Sequence, residues 1–174
     1  MNKIVISDAS TLVLLEKVDL LSRLVKNFIF IVPEEVYKEA VLKGKAKNFS
    51  DSYQIENKIN DGVIRIKKIN NRQKANNIIK EFRIGEGETE AIVLFLETKA
   101  DILATDDHKS INVCKAYQIP FMTALTFVLD SFNKKVIVKN EAEKMIKDLG
   151  IYGRYKNELI YKALSYLEVK KWRS

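Results

Sequence analysis

The side chains in this sequence best suited to chemistry are carboxylates, and their spacing matters more than their number. Asp8 closes a β-branched run, Asp106 and Asp107 follow Ile102-Leu103-Ala104, and Glu39 lies in a segment opened by Pro33. Glu86, Glu88 and Glu90 crowd the stretch after Gly85; on a helix Glu86 and Glu90 share a face and Glu88 points elsewhere. Each acid alone has an ordinary role, since aspartate after a strand caps the next helix and glutamate in a first turn offsets the macrodipole. Together they pose an electrostatic problem: two carboxylates about 4 Å apart repel by roughly 4 kcal/mol at an effective dielectric of 20. A converging set therefore needs a proton, a basic partner or a metal ion. One histidine, His108, and one cysteine, Cys114, cannot supply a nitrogen-and-sulfur zinc site, whereas oxygen-only ligands suit Mg²⁺ or Mn²⁺. His108 reads as a surface or capping residue, and Cys114 as a small buried side chain.

Other chemistries are poorly served. With one histidine no Ser/His/Asp set can be assembled, and no serine stands in a nucleophile-elbow pattern. Gly85-Glu86-Gly87-Glu88 is too acidic to cradle phosphate, and no nucleotide-triphosphatase loop is present. Phosphoryl transfer through a nucleophilic Asp8, as in haloacid-dehalogenase-like phosphatases, wants a second aspartate two residues on, where this chain has Ser10.

The acids must be carried by elements that the hydropathy pattern locates. Ile4-Val5-Ile6 reads as a strand, and Leu12, Leu14, Leu15, Val18, Leu20, Leu21, Leu24 and Val25 recur at helical spacing behind it. Phe28 to Val32 is a second strand, with Pro33 opening a helix through Val36, Tyr37, Ala40 and Val41. Residues 43–61 read as a polar loop with a short helix, 63–66 as a third strand and 71–83 as a basic helix. Thr89 to Lys99 is apolar on nearly every side and predicts an internal helix. A fourth strand at 102–104, a helix through Tyr117, a short strand at 119–122 and a helix at 125–132 follow. Two amphipathic helices, 140–149 and 155–168, flank Gly150 and Gly153. Strands alternating with helices imply a parallel sheet, because parallel neighbours need crossover connections. The expectation is an α/β/α sandwich with a central parallel sheet of four to five strands, residues 1–139, and a helical extension, 140–174, packed on the same domain. Such folds place their chemistry outside the carboxyl ends of the strands, where Asp8 and the Asp106-Asp107 pair would fall.

Charge is unevenly spread over the 174 residues. The net +7 divides into −1 over residues 1–42, +7 over 43–84, −5 over 85–130 and +6 over 131–174. An acidic block between two basic ones suits a polyanion held beside bound metal ions. Hydrophobic residues make up 47%, enough for one core. No eighteen-residue apolar run exists to span a bilayer, and the first apolar stretch meets Asp8 too soon for a signal peptide. No membrane partner and a cytoplasmic location are expected.

The elements and acids, in this order, resemble the PIN-domain nucleases, the fold of many prokaryotic toxin ribonucleases and eukaryotic RNA-processing nucleases. Ser7-Asp8-Ala9-Ser10 is similar to the family's opening motif, and Val32-Pro33 through Glu39 to its second. Gly85-Glu86-Gly87-Glu88-Thr89-Glu90-Ala91-Ile92 resembles the third motif of an archaeal and bacterial subgroup, and Thr105-Asp106-Asp107 the fourth. Gly150-Ile151-Tyr152 resembles that subgroup's turn between two terminal helices. The resemblance implies that Asp8, Glu39, Glu90 and Asp107 are catalytic and hold Mg²⁺ or Mn²⁺, with Asp106 a close alternative to Asp107. Ser10, Glu86 and Thr105 would support them. It further implies RNA as substrate, a homodimer, and an antitoxin protein as partner if the chain is a toxin. Phe49, Tyr53, Tyr152 and Tyr155 would be available to stack on unpaired bases. A non-catalytic RNA- or protein-binding module that keeps the fold is the alternative.

Overall fold

The computed structural model describes residues 2–171. Five strands, β1 (Lys3–Ser7), β2 (Phe28–Pro33), β3 (Ile64–Lys67), β4 (Ile102–Ala104) and β5 (Phe121–Met122), pair only in parallel in the order β3-β2-β1-β4-β5. The chain moves outward from β1 through β2 to β3, then returns to build β4 and β5 on the other side of β1. The order reverses between β1 and β4, and at such a switch point the crossovers diverge and leave a crevice at the strands' carboxyl ends.

Side-chain alternation divides the core between the two faces of the sheet. Val5, Phe30, Val32, Ile64 and Ala104 pack in one buried cluster, whereas Ile6 and Leu103 belong to another. The first cluster is completed by α1 (Ala9–Lys17), α2 (Leu21–Leu24), α5 (Ser50–Asn60), α9 (Ala124–Asn133), α10 (Lys139–Tyr152) and α11 (Asn157–Lys171). The second is completed by α6 (Arg72–Phe82), α7 (Glu86–Thr98) and α8 (His108–Ala116). This is the α/β/α arrangement expected. Leu149 of α10 and Ala163 and Leu167 of α11 are buried in the first cluster, and Arg23 clamps α10 from outside with both guanidinium nitrogens on Glu141, at 2.6 and 3.0 Å.

The structure departs from the sequence reading in three places. The helix expected across Leu12 to Val25 is broken, because Asp19 adopts a left-handed φ of 57°. The amides of Asp19 and Leu20 then return to Glu16 and Leu15, satisfying carbonyls that the ended helix leaves open. Residues 43–61 are more helical than expected: α3 (Glu34–Tyr37) runs through a π-helical turn (Lys38–Leu42) into α4 (Lys43–Lys45), and α5 follows with eleven residues. The close approach of α4 to α5 depends on Gly44, where a Cβ would lie 1.8 Å from Ser52 Oγ. Finally, α7 begins at Glu86, three residues before the expected start, with Gly87 inside its first turn.

Phe28, Phe30 and Phe127 meet as a ring cluster between the sheet and α9, with centroids 6.0–6.4 Å apart. Replacing the fully buried Phe127 by alanine is expected to lower unfolding free energy by about 3–5 kcal/mol in urea titrations. Replacing Tyr161, 72% exposed on α11, should change it by less than about 0.5 kcal/mol. Equal effects would show that the cluster is not the packing centre.

Candidate active site

Register places the two best-positioned aspartates. Ser7 of β1 pairs with Ala104 of β4, and the Asp8 amide continues the ladder to the Ala104 carbonyl at 3.0 Å. Asp8 and Asp106 therefore leave adjacent strands at the switch point. Asp8 is the N-cap of α1: its Oδ1 accepts from the Thr11 amide at 2.8 Å and from Ser10 Oγ at 3.1 Å. Its Oδ2 is buried and has no hydrogen-bond partner. Asp106 Oδ2 accepts from Thr11 Oγ1 at 2.9 Å and from the Ala124 amide at 3.0 Å, while its Oδ1 accepts from the Tyr155 hydroxyl. Thr11 thus touches both carboxylates, one through its amide and one through its hydroxyl.

Burial dominates the electrostatics of this pair. It raises the Asp8 carboxyl to about 6; the Thr105 and Thr11 hydroxyls and the Thr11 amide partly oppose it, and the Asp106 charge adds to it. Thr105 is close enough to be felt by Asp8 but closes no hydrogen bond to Oδ2. Burial also raises Asp106, against the three donors that favour its charged form. Asp107 has a different role: its Oδ1 caps α8 by accepting from the Ser110 amide at 2.8 Å. His108 is exposed in the first turn of that helix.

The glutamates form separate groupings. Glu90, 4% exposed, pairs with Arg72 at 2.6 Å and accepts from the Glu35 amide at 3.1 Å, so a buried carboxylate has both a cation and a helix terminus as partners. Glu39 lies in the π-helical turn, and its pKa is raised by burial first and then by Glu88, with Lys43 at 3.8 Å opposing. π turns are uncommon and often mark functional positions. Gly87 makes room for this glutamate: a Cβ there would lie 2.6 Å from Glu39 Oε2. Glu86, expected in support, is exposed.

Among the described residues, no three His, Cys, Asp or Glu side chains are arranged as they stand to hold a metal ion. The structure brings Asp8 and Asp106 together and keeps Glu90, Glu39 and Asp107 in other interactions. The donors at the pair still fit a hard cation. All are oxygens, Asp8 Oδ2 is an orphaned buried acceptor, and Mg²⁺ is commonly bound by one or two carboxylates with water and substrate phosphate completing its shell. Two surface clefts, of about 390 and 360 Å³, are lined by other residues.

Sequence reasoning missed Thr11 and Arg72, and it named Glu88 without foreseeing that its charge would act on Glu39. Thr11 carries a weak signal, three residues after a capping aspartate; Arg72 carries none beyond its basic helix. Of the aromatic residues considered for stacking, Phe49, Tyr53 and Tyr152 are exposed, with Lys17 against the first and third rings and Lys45 against the second. Tyr155 is instead turned inward to Asp106.

In comparisons with known proteins, the family model DUF3368, described as a PIN domain, matches residues 4–168. No curated protein matches the chain.

The pH dependence of stability tests the burial of Asp8. With its folded value near 6 and its ordinary value 3.8, folding favours the protonated acid. Its contribution is fully present below pH 3.8 and is lost as pH rises through about 6. The difference corresponds to about 3 kcal/mol at neutral pH. Asp8→Asn should therefore be more stable than wild type at pH 7.5 in EDTA, with the gap closing towards pH 4 in urea titrations. A gap independent of pH would refute the desolvated carboxyl.

Proposed function

This chain belongs to the PIN-domain family, whose fold is of the nuclease type, and from that membership and the acidic pair we propose that it is a metal-dependent endoribonuclease. The observation that carries the reading is the unpartnered, buried Oδ2 of Asp8 beside Asp106 at the switch point of the sheet. A buried carboxylate pair without a cation is costly, and neither oxygen of Asp106 nor Oδ1 of Asp8 relieves it, since their partners are neutral. Asp8 would hold Mg²⁺ or Mn²⁺ together with Asp106; Asp107, Glu39 and Glu90 are the further acids assigned to the site by the family pattern. Bound there, the ion supplies Lewis acidity to a phosphodiester and lowers the pKa of a water.

The chain's own residues would do the rest. Thr11 holds the two aspartates at a fixed spacing, and Ser10 keeps Asp8 Oδ1 engaged so that Oδ2 remains available. Lys38, Lys43 and Arg72 line the glutamate side with side chains 55%, 64% and 61% exposed, available to backbone phosphates. Such contacts give affinity without reading sequence. For a toxin role the partner would be an antitoxin protein; Ile151 and Tyr161, 75% and 72% exposed on α10 and α11, support a protein-facing surface there, which a homodimer could also use. Among the described residues no helix is long and apolar enough to cross a membrane. A cytoplasmic location, where RNA is met, accords with this role.

One observation favours the second reading, a non-catalytic RNA- or protein-binding module: Glu90 is already neutralised by Arg72. The two readings separate in a cleavage assay. Purified protein incubated with structured and single-stranded RNAs should shorten RNA with Mn²⁺ or Mg²⁺ and not with EDTA. Asp8→Asn should reduce the rate by about 100-fold or more, since even outer-shell partners of metal ligands are worth 10–100-fold. RNA bound but left intact under every condition would favour the module.

A further inference from the structure

We propose that Tyr155, in the loop between α10 and α11, is a positioning residue for the acidic pair, its hydroxyl fixing Asp106 so that one acceptor position of that carboxylate stays open to a cation shared with Asp8. This role rests on the metal-dependent reading above.

The hydrogen bonds fill five of the pair's roughly eight acceptor positions. A carboxylate has about four, two on each oxygen. Asp106 Oδ2 uses both of its own, on Thr11 Oγ1 and the Ala124 amide, and Oδ1 uses one on the Tyr155 hydroxyl. Asp8 Oδ1 uses both of its own, on Ser10 Oγ and the Thr11 amide, while Oδ2 uses neither. What remains for a cation is therefore concentrated on Asp8 Oδ2 and on the second lone pair of Asp106 Oδ1. Without the phenol, Asp106 would be tethered through Oδ2 alone and Oδ1 could swing.

The donor is itself held from three sides. The Leu125 amide donates to the Tyr155 oxygen at 3.2 Å, which commits the phenolic hydrogen to Asp106. The ring packs against the core beside Gly153, where a Cβ would lie 2.8 Å from two of its carbons and from the Leu149 carbonyl. Asp106 and Tyr155 thereby satisfy the first two amides of α9, and Thr123 satisfies the next through its side chain. The C-terminal helical pair is in this way joined to the aspartates at the switch point.

A tyrosine that only capped α9 would affect stability alone, so metal affinity is the discriminating readout. Mn²⁺ binding by calorimetry would be compared for wild type, Tyr155→Phe, which keeps the ring, and Gly153→Ala, which keeps the hydroxyl but displaces the ring. Tyr161→Phe on the exposed face serves as control, and melting temperatures in EDTA report folding. Tyr155→Phe and Gly153→Ala should each raise the Mn²⁺ dissociation constant about 10-fold or more, with the control unchanged. Unchanged Mn²⁺ affinity in both variants, whatever their melting temperatures, would overturn the positioning role and leave the metal site standing. Absence of Mn²⁺ binding by wild type itself would overturn the metal-dependent reading, and this role with it.

Discussion

The burial of the Asp8 carboxyl is the constraint around which this end of the molecule is organised. Asp8 is both the last step of the β1–β4 ladder and the N-cap of α1, so its position is fixed by backbone on one side and by a helix terminus on the other. Capping satisfies Oδ1 and leaves Oδ2 enclosed without a partner. An enclosed acceptor of that kind costs about 1–3 kcal/mol, more when charged, and the raised pKa of Asp8 expresses the same cost. Glu16 Oε2, Ser52 Oγ and Ser110 Oγ are also buried without a partner, so it is the neighbouring Asp106 carboxylate that sets Asp8 Oδ2 apart.

The surroundings handle charge in two ways. At the glutamates the chain supplies its own cations: Arg72 for Glu90, and Lys43 beside Glu39. At the aspartates it supplies only neutral donors, from Thr11, Ser10, Ala124 and Tyr155. Hydrogen bonds orient a carboxylate and favour its charged form without cancelling the repulsion from a second one. The positive charge missing at Asp8 distinguishes it from the other two buried acids, Glu90, which has Arg72 at 2.6 Å, and Asp51. Buried Asp51 has Lys17 at 3.4 Å, and Glu16 has Lys58 at 2.7 Å.

Catalytic metal sites depend on the groups that hold their ligands as much as on the ligands, and here those groups come from distant parts of the chain. Thr11 belongs to α1, Ala124 to α9 and Tyr155 to the loop after α10, yet all converge on Asp106. Residues 43–84, which carry the largest net positive charge, place Arg72 against Glu90 of α7 and Lys43 one helical turn after Glu39.

Much of the architecture was legible in the sequence because its signals are local. Period-two and period-3.6 hydropathy, Pro33 at a helix start and the alternation of strand with helix determined a parallel sheet covered on both faces, and strand ends marked where Asp8 and the Asp106-Asp107 pair would emerge. The broken helix at Asp19 and the helical run after Pro33 were not legible, since a left-handed residue and a π turn are chosen by packing rather than by composition. Only tertiary structure decided that Asp106 meets Asp8 while Asp107 caps α8, because consecutive residues leaving a strand point in different directions and the neighbouring helices select between them. It alone paired Glu90 with Arg72 and turned Tyr155 inward. Those contacts join residues 18 and 49 positions apart, and no local pattern encodes the distance between elements that only packing brings together.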